Sequence, residues 1–167
     1  KKEFKDLKLI LVPRHPERSN SLKEILDVNK INYEISSNLE LNTNENDVIV
    51  INTTGLLNSL YKKSKASFIG GSLFSKYGGH NIIEAASNKS PFIVGPYMKN
   101  FEDILNLFLE REACLQLQHP NDLSEAYKKL LKNDELRSHI IDNALKVVSE
   151  NKGSSNKQYK HIKNLIN

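Results

Sequence analysis

Two glycine pairs followed by a polar helix start are the residues whose types and spacing could do chemistry in this chain. The pairs stand at residues 70–71 and 78–79, and His80 and Asn81 follow the second pair directly. Glycines let a backbone approach a ligand closely, and the first turn of a helix presents unpaired N–H groups to an anion. This segment therefore predicts a phosphate or nucleotide site.

Asn81 and Glu84 stand three residues apart at the predicted helix start, and their spacing has two interpretations. In the first, the amides of this turn hold a phosphate while Glu84 accepts hydrogen bonds from ribose hydroxyls. In the second, Asn81 is the N-cap and Glu84 closes a capping box. Both can hold at once, because a phosphate would use other N–H groups. His80 either donates to the phosphate or stabilises the loop.

Arg14 follows an apolar run at residues 7–12 and stands between Pro13 and Pro16. An arginine at the end of a buried strand can form a bidentate, charge-assisted pair with a phosphate or carboxylate. The alternative is a salt bridge to a neighbour such as Glu17, or a solvated side chain. The two prolines favour the ligand contact.

The turn at residues 53–55 has the sequence Thr-Thr-Gly and also joins a predicted strand to a predicted helix. It either presents backbone groups to a base or ribose, or its threonines cap the helix. Parallel sheets bind ligands at the carboxyl ends of their strands. The Arg14 turn, this turn and the glycine-rich loop are therefore expected to converge on one crevice.

Short apolar runs alternate with helical periodicity along the chain. This alternation predicts an α/β fold, a Rossmann-like parallel sheet with helices on both faces, and we see no linker that would divide residues 1–167 into domains. Ser19 or Asn20 is expected to cap one helix, and Asn100 to cap another. The predicted strands cover residues 7–12, 31–35, 47–51, 66–70, 91–94 and 113–117; the predicted helices cover residues 20–29, 55–65, 80–88, 101–111, 123–131, 134–150 and 155–166.

The composition is that of an ordinary globular protein, with 38% hydrophobic and 26% charged residues among 167. The formal net charge of +4 is spread along the chain without a dense arginine block, which argues against nucleic acid as a partner. Cys114 is the single cysteine; we expect a buried structural thiol and a reducing compartment. The histidines lack metal-ligand spacing, and no apolar run is long enough to span a bilayer.

Four segments in order resemble the carboxyl-terminal half of the 3-deoxy-D-manno-octulosonic acid (Kdo) transferases of lipopolysaccharide synthesis. They are LILVPRHPER, INTTGLLNSLYKKSKASFIGGSL, GGHNIIEAAS and PFIVGPYMKNFEDI, and they cover about residues 9–104. PRHPER and GGHN together are quite specific, whereas either alone would not be.

The resemblance implies a GT-B glycosyltransferase whose carboxyl-terminal domain binds the donor CMP-Kdo. No metal or other cofactor is expected, and no catalytic residue is expected in this chain, because the family's base lies in the amino-terminal, acceptor-binding domain. The lipid A precursor would bind there too, at the cytoplasmic face of the bacterial inner membrane. The residues implied to bind CMP are Pro13, Arg14, Thr54, Gly55, Leu56, Asn81, Ile82, Ile83 and Glu84, with Ser72 and His80 near the phosphate.

Departures from the family pattern keep other interpretations open. Leu56 stands where the family has glutamate, so only backbone contacts are expected at that turn. The acceptor domain and the first strand of this domain are expected to be absent, leaving a soluble fragment that is inactive alone. Alternatives are another GT-B enzyme, such as a UDP-sugar transferase or epimerase, and a non-catalytic remnant or interaction domain.

Overall fold

The computed structural model describes residues 3–4, 6–39 and 46–151, and every structural statement below refers to these. The strands are β1 (Leu9–Leu11), β2 (Tyr33–Ser36), β3 (Val48–Ile51), β4 (Ser67–Ile69), β5 (Phe92–Val94) and β6 (Leu115–Gln116). The α-helices are α1 (Ser19–Val28), α2 (Leu57–Lys63), α3 (Ile83–Ser87), α4 (Glu102–Glu110), α5 (Leu123–Lys132) and α6 (Asp134–Asn151). Short 3₁₀ turns at Pro16–Arg18, Lys99–Phe101 and Pro120–Asp122 precede α1, α4 and α5.

The chain divides into two compact units, Lys1–Ser59 and Leu60–Asn167, here called unit 1 and unit 2. The boundary falls inside α2. The single domain expected over residues 1–167 stays a prediction.

Unit 1 is built on a three-stranded parallel sheet in the order β1-β3-β2. All four residues of the central strand β3 are buried, as expected for β-branched side chains paired on both sides. Leu26 of α1 packs on this strand and Leu22 packs beside it. Ile25, three residues after Leu22 on the same helix, does not share their buried face and is 57% exposed.

Unit 2 has a second three-stranded parallel sheet, in the order β4-β5-β6. The central strand β5 is again fully buried, and the ring of Phe92 meets that of Phe108 edge to face at 5.5 Å. Helix α6 contacts α3, α4 and α5. Cys114 is buried, as predicted, and burial raises the pKa of its thiol to about 12.

The parallel α/β class and all six predicted strands are confirmed. The strands nevertheless hydrogen-bond as two ladders of three, where the sequence predicted one sheet. Among the described residues, no helix combines the length and apolar character needed to cross a bilayer.

The predicted helix starts need correction. The side chain of Ser19 does not cap α1; its Oγ donates to the carbonyl of Pro16 at 2.6 Å, inside the preceding 3₁₀ turn. Asn100 lies in the 3₁₀ turn before α4 and does not cap it either. Helix α3 begins at Ile83, three residues later than predicted. The helix predicted at residues 155–166 and most of the polar loop near residue 40 lie outside the described residues.

Candidate nucleotide-binding site

The glycine-rich loop leaves the carboxyl end of β4 and returns to α3. Gly71, Gly78 and Gly79 adopt φ values of +72°, +67° and +83°, a region that side chains other than glycine rarely enter. The amide of Gly79 donates to the carbonyl of Gly71 at 2.9 Å. This bond closes the loop at its base, so the two glycine pairs lie against each other.

His80 covers the first glycine pair. A Cβ built on Gly71 would lie 3.0 Å from Nε2 of His80 and 3.2 Å from its Cε1. The imidazole is only partly buried. The glycine therefore leaves room for this ring, and His80 stays at the surface of the predicted phosphate site.

Ser72 supports the loop from below. It is fully buried, and its Oγ donates to the carbonyl of Ile69 at 2.5 Å and accepts from the amide of Gly95 at 2.8 Å. Both hydroxyl bonds are made within the protein, so the Ser72 side chain is not directed at a ligand, and the expected place of Ser72 near the phosphate stays a prediction. Its hydroxyl joins the loop to the end of β5.

Asn100 holds the glycine-rich loop and does not cap α4 as predicted. Its Nδ2 donates to the carbonyl of Tyr77 at 3.1 Å, and its amide donates to the carbonyl of Gly78 at 3.0 Å. A Cβ on Gly78 would overlap the Asn100 side chain. Gly78 packs against Asn100 in the fold. The two residues are far apart in sequence, so the sequence pattern gave no indication of this contact.

The Asn81 turn does not form the capping box. Oδ1 of Asn81 accepts from the amide of Ile83 at 3.0 Å, a bond across two residues of the kind found in Asx turns, and the N-cap of α3 is Ile82. The reciprocal bond from the Glu84 side chain is missing: among the described residues Glu84 uses only its main-chain carbonyl, which accepts from the amide and Nδ2 of Asn88. Ile82 is fully buried and Ile83 is exposed, so at position 82 only the main chain could meet a ligand.

Glu84 is half-buried and lies near Tyr61 of α2. Burial first, and then the negative charge of Glu84, raise the pKa of the Tyr61 hydroxyl to about 12. The carboxylate thus keeps hydrogen-bonding capacity for a ligand.

Arg14 of unit 1 is exposed in a bend after β1, between the half-buried Pro13 and Pro16. Its guanidinium forms no ion pair among the described residues. Glu17, the alternative partner considered from the sequence, lies 3.7 Å from Nδ1 of His15. The arginine is therefore available to an anionic ligand.

The turn after β3 ends at Gly55, which has a φ of +86°. A Cβ on this glycine would meet nothing within 4 Å, so the backbone there faces open space. Thr54 is exposed and Leu56 is half-buried. Their main chain is accessible, as the predicted backbone contacts require.

The structure brings together the predicted residues of unit 2, which are Ser72, His80, Asn81, Ile82, Ile83 and Glu84. Pro13, Arg14, Thr54, Gly55 and Leu56 belong to unit 1. A pocket common to both sets stays a prediction. Within residues 3–4, 6–39 and 46–151, no group of three or more potential metal ligands is found.

Known proteins give a consistent comparison. The chain is 35% identical over 153 residues to a 3-deoxy-D-manno-octulosonic acid transferase of Haemophilus influenzae, covering 91% of this chain and 36% of that protein. An enzyme of the same name from Rickettsia prowazekii is 34% identical, with 97% of this chain and 35% of the relative covered. The chain thus spans about a third of the length of these relatives. No family model matches.

A solved structure agrees with these relatives. The crystal structure of the C-terminal CMP-Kdo binding domain of WaaA from Acinetobacter baumannii superposes with a TM-score of 0.80 and 31% identity. The match covers 85% of this chain and 74% of that domain.

Parallel strands with a glycine-rich loop at a strand's carboxyl end make this a Rossmann-like α/β protein. More particularly, the chain belongs to the 3-deoxy-D-manno-octulosonic acid transferase family and has the fold of that family's C-terminal domain.

Proposed function

We propose that this chain is the donor-binding domain of a glycosyltransferase that moves Kdo from CMP-Kdo to a lipid A precursor. The observation that carries the proposal is the 31% identity and TM-score of 0.80 to a CMP-Kdo binding domain. The glycine-rich loop supports it independently, because it begins with the exposed Gly70 directly after β4, at the strand end where parallel sheets bind ligands.

The predicted residues contact different parts of CMP, according to their charge and hydrogen-bonding groups. Arg14 binds the phosphate of CMP, together with amides of the Asn81 turn other than that of Ile83, which donates to Oδ1 of Asn81. Glu84 accepts hydrogen bonds from the ribose, and its carboxylate has the free capacity to do so. The backbone of residues 54–56 approaches the nucleoside, since Gly55 opens onto free space.

In the proposed reaction a hydroxyl of the acceptor attacks the anomeric carbon of Kdo, and CMP leaves with the bonding electrons. Negative charge accumulates on the departing phosphate, where preorganised donors lower the barrier most. Arg14 and the amides of the Asn81 turn are such donors. We propose that the base that takes the acceptor's proton belongs to another part of the intact enzyme.

We also propose that the donor site works without a metal ion, since a monophosphate leaving group can be neutralised by one arginine and several amides. The acceptor is a lipid, so the intact enzyme would act at the cytoplasmic face of the inner membrane.

Calorimetric titration with CMP tests the donor site. We expect binding that is unaffected by EDTA, and weaker binding of UMP and UDP in a parallel thermal-shift series. No heat of binding at millimolar CMP would overturn the proposal. A preference for UDP would instead indicate a different GT-B donor.

A further inference from the structure

The tip of the glycine-rich loop is a hydrogen-bonded turn of four exposed residues. Phe74, Ser75, Lys76 and Tyr77 form it, and the amide of Tyr77 donates to the carbonyl of Phe74 at 3.2 Å. Phe74 is 63% exposed and Tyr77 is 51% exposed. Two large rings thus stand in solvent at the first and last residues of one turn, and contiguous exposed apolar surface of this kind can form a contact site.

The base of this turn is fixed. Asn100 holds the carbonyl of Tyr77 at 3.1 Å, the Gly79 amide holds Gly71 at 2.9 Å, and Ser72 is fully buried. The rings are therefore presented by a braced backbone. Such preorganisation reduces the entropy lost when a surface binds.

A second loop adds the same chemistry beside the first. The amide of Tyr97 donates to the carbonyl of Ser72 at 3.0 Å, and the Tyr97 side chain is 44% exposed. Lys99, two residues further on, is also exposed. Phe74, Lys76, Tyr77, Tyr97 and Lys99 are called the aromatic–lysine patch below.

The patch itself is basic. It contains Lys76 and Lys99 and no acidic residue; within residues 67–101 the acidic residue is the half-buried Glu84, and the exposed Glu102 and Asp103 follow at the start of α4. Nζ of Lys76 stands 5.7 Å from the centre of the Tyr77 ring, within the range of a cation–π contact. Aromatic rings interleaved with lysines suit the interface of an anionic bilayer, where rings sit at headgroup level and lysines meet lipid phosphates.

We propose that the aromatic–lysine patch docks on an anionic lipid bilayer. The inference deepens the proposed function and rests on it, because a lipid acceptor has to be met at a membrane. The base of the glycine-rich loop belongs to the predicted phosphate site. The tip of the same loop would contact the membrane. The donor would then be held close to the plane in which the acceptor lies.

Vesicle co-sedimentation of the full chain tests the proposal, using phosphatidylcholine vesicles with and without phosphatidylglycerol. We expect binding only when phosphatidylglycerol is present. The Phe74→Ser/Tyr77→Ser variant should lose about a hundredfold in partitioning, about tenfold for each of the two large rings withdrawn from the nonpolar phase. Ile25→Ser/Val28→Ser is the matched control and should bind as the unaltered chain does, because those side chains are equally exposed but lie in unit 1.

Lysine variants separate docking at the patch from general charge attraction. Lys76→Gln/Lys99→Gln and Lys62→Gln/Lys63→Gln lower the net charge equally, yet only the first pair should weaken binding and its salt dependence. Three results would each overturn the proposal: no binding to anionic vesicles, unchanged binding of the ring variant, or equal loss from both lysine pairs. CMP titration of the same samples reports on the donor site separately, so failure of either proposal is recognised on its own.

Discussion

Ser72 and Gly95 are joined by a buried hydrogen bond of 2.8 Å from the Gly95 amide to Oγ of Ser72. The contact is so close that a Cβ on Gly95 would overlap the Ser72 carbonyl. The glycine-rich loop is thus seated directly on the end of β5. The stability of unit 2 and the shape of the candidate site are coupled at this one contact.

Gly95→Ala should destabilise the chain by about 3 kcal/mol, because the added methyl group forces buried backbone apart. Urea unfolding measures the change. Gly55→Ala is the control: its Cβ has free space, and the positive φ costs only about 1 kcal/mol. An equal loss in the two variants would contradict the predicted overlap.

Ser72→Ala should cost about 1–3 kcal/mol, because it leaves the buried Gly95 amide without its acceptor. Ser75→Ala, in the exposed tip of the same loop, should change the free energy of unfolding by less than about 0.5 kcal/mol. Chemical denaturation of both variants is the measurement. If Ser72→Ala were as harmless as Ser75→Ala, the bond would contribute little.

Arg14→Gln should weaken CMP binding by about tenfold or more, the value for a charged hydrogen bond. Its melting temperature should not change, since the exposed guanidinium has no ion pair in the described part of the chain. Arg18→Gln, a neighbouring exposed arginine, should retain CMP affinity. Calorimetric titration of the three proteins decides, and equal affinities would remove Arg14 from the donor site.

Glu84→Ala and Asn81→Ala should have opposite signatures. Loss of the Asn81 Oδ1 acceptor should cost about 1 kcal/mol of stability, the net value of one intramolecular hydrogen bond. Loss of the Glu84 carboxylate should weaken CMP binding more than it lowers the melting temperature. Thermal unfolding and titration of each variant test this, and a larger stability loss in Glu84→Ala would favour the capping box.

Cys114 should resist thiol reagents in the folded chain. Its pKa is raised by burial from 9.0 to about 12, so the reactive thiolate is scarce near neutral pH. The stabilising effect of the protonated thiol is present below pH 9.0 and is lost as pH rises from there toward 12. A coloured disulfide reagent should react with the denatured chain alone, whereas Ser75→Cys should react at once in the folded state.

The strands were predictable because β-branched apolar runs such as Val48–Ile51 have few alternatives to a buried parallel strand. The helix starts were harder. Ser19 and Asn100 have the side chains of helix caps, yet 3₁₀ turns precede both helices and their polar atoms bond elsewhere. Local propensity cannot reveal that Asn100 serves a loop more than twenty positions away, since only tertiary packing brings the two together.

Some residues of the candidate site could likewise be predicted from the sequence, and others could not. The glycines and the Asn81 turn were recognisable from the sequence, because glycine and asparagine are the residue types that such backbone conformations favour. The burial of Ser72 was not, because an isolated serine is equally common in cores, caps and surfaces. Ser72 holds the loop through its bond to the Gly95 amide at the end of β5, a contact that depends on the tertiary structure.

Asn100 bonds the carbonyls of Tyr77 and Gly78. The base of the loop is therefore fixed, whereas the exposed tip can vary in sequence. A library randomised at residues 74–77 should keep most of its members folded, whereas randomising residues 78–79 should not. Substitutions at the tip could therefore give it affinity for other surfaces without changing the fold of the rest of unit 2.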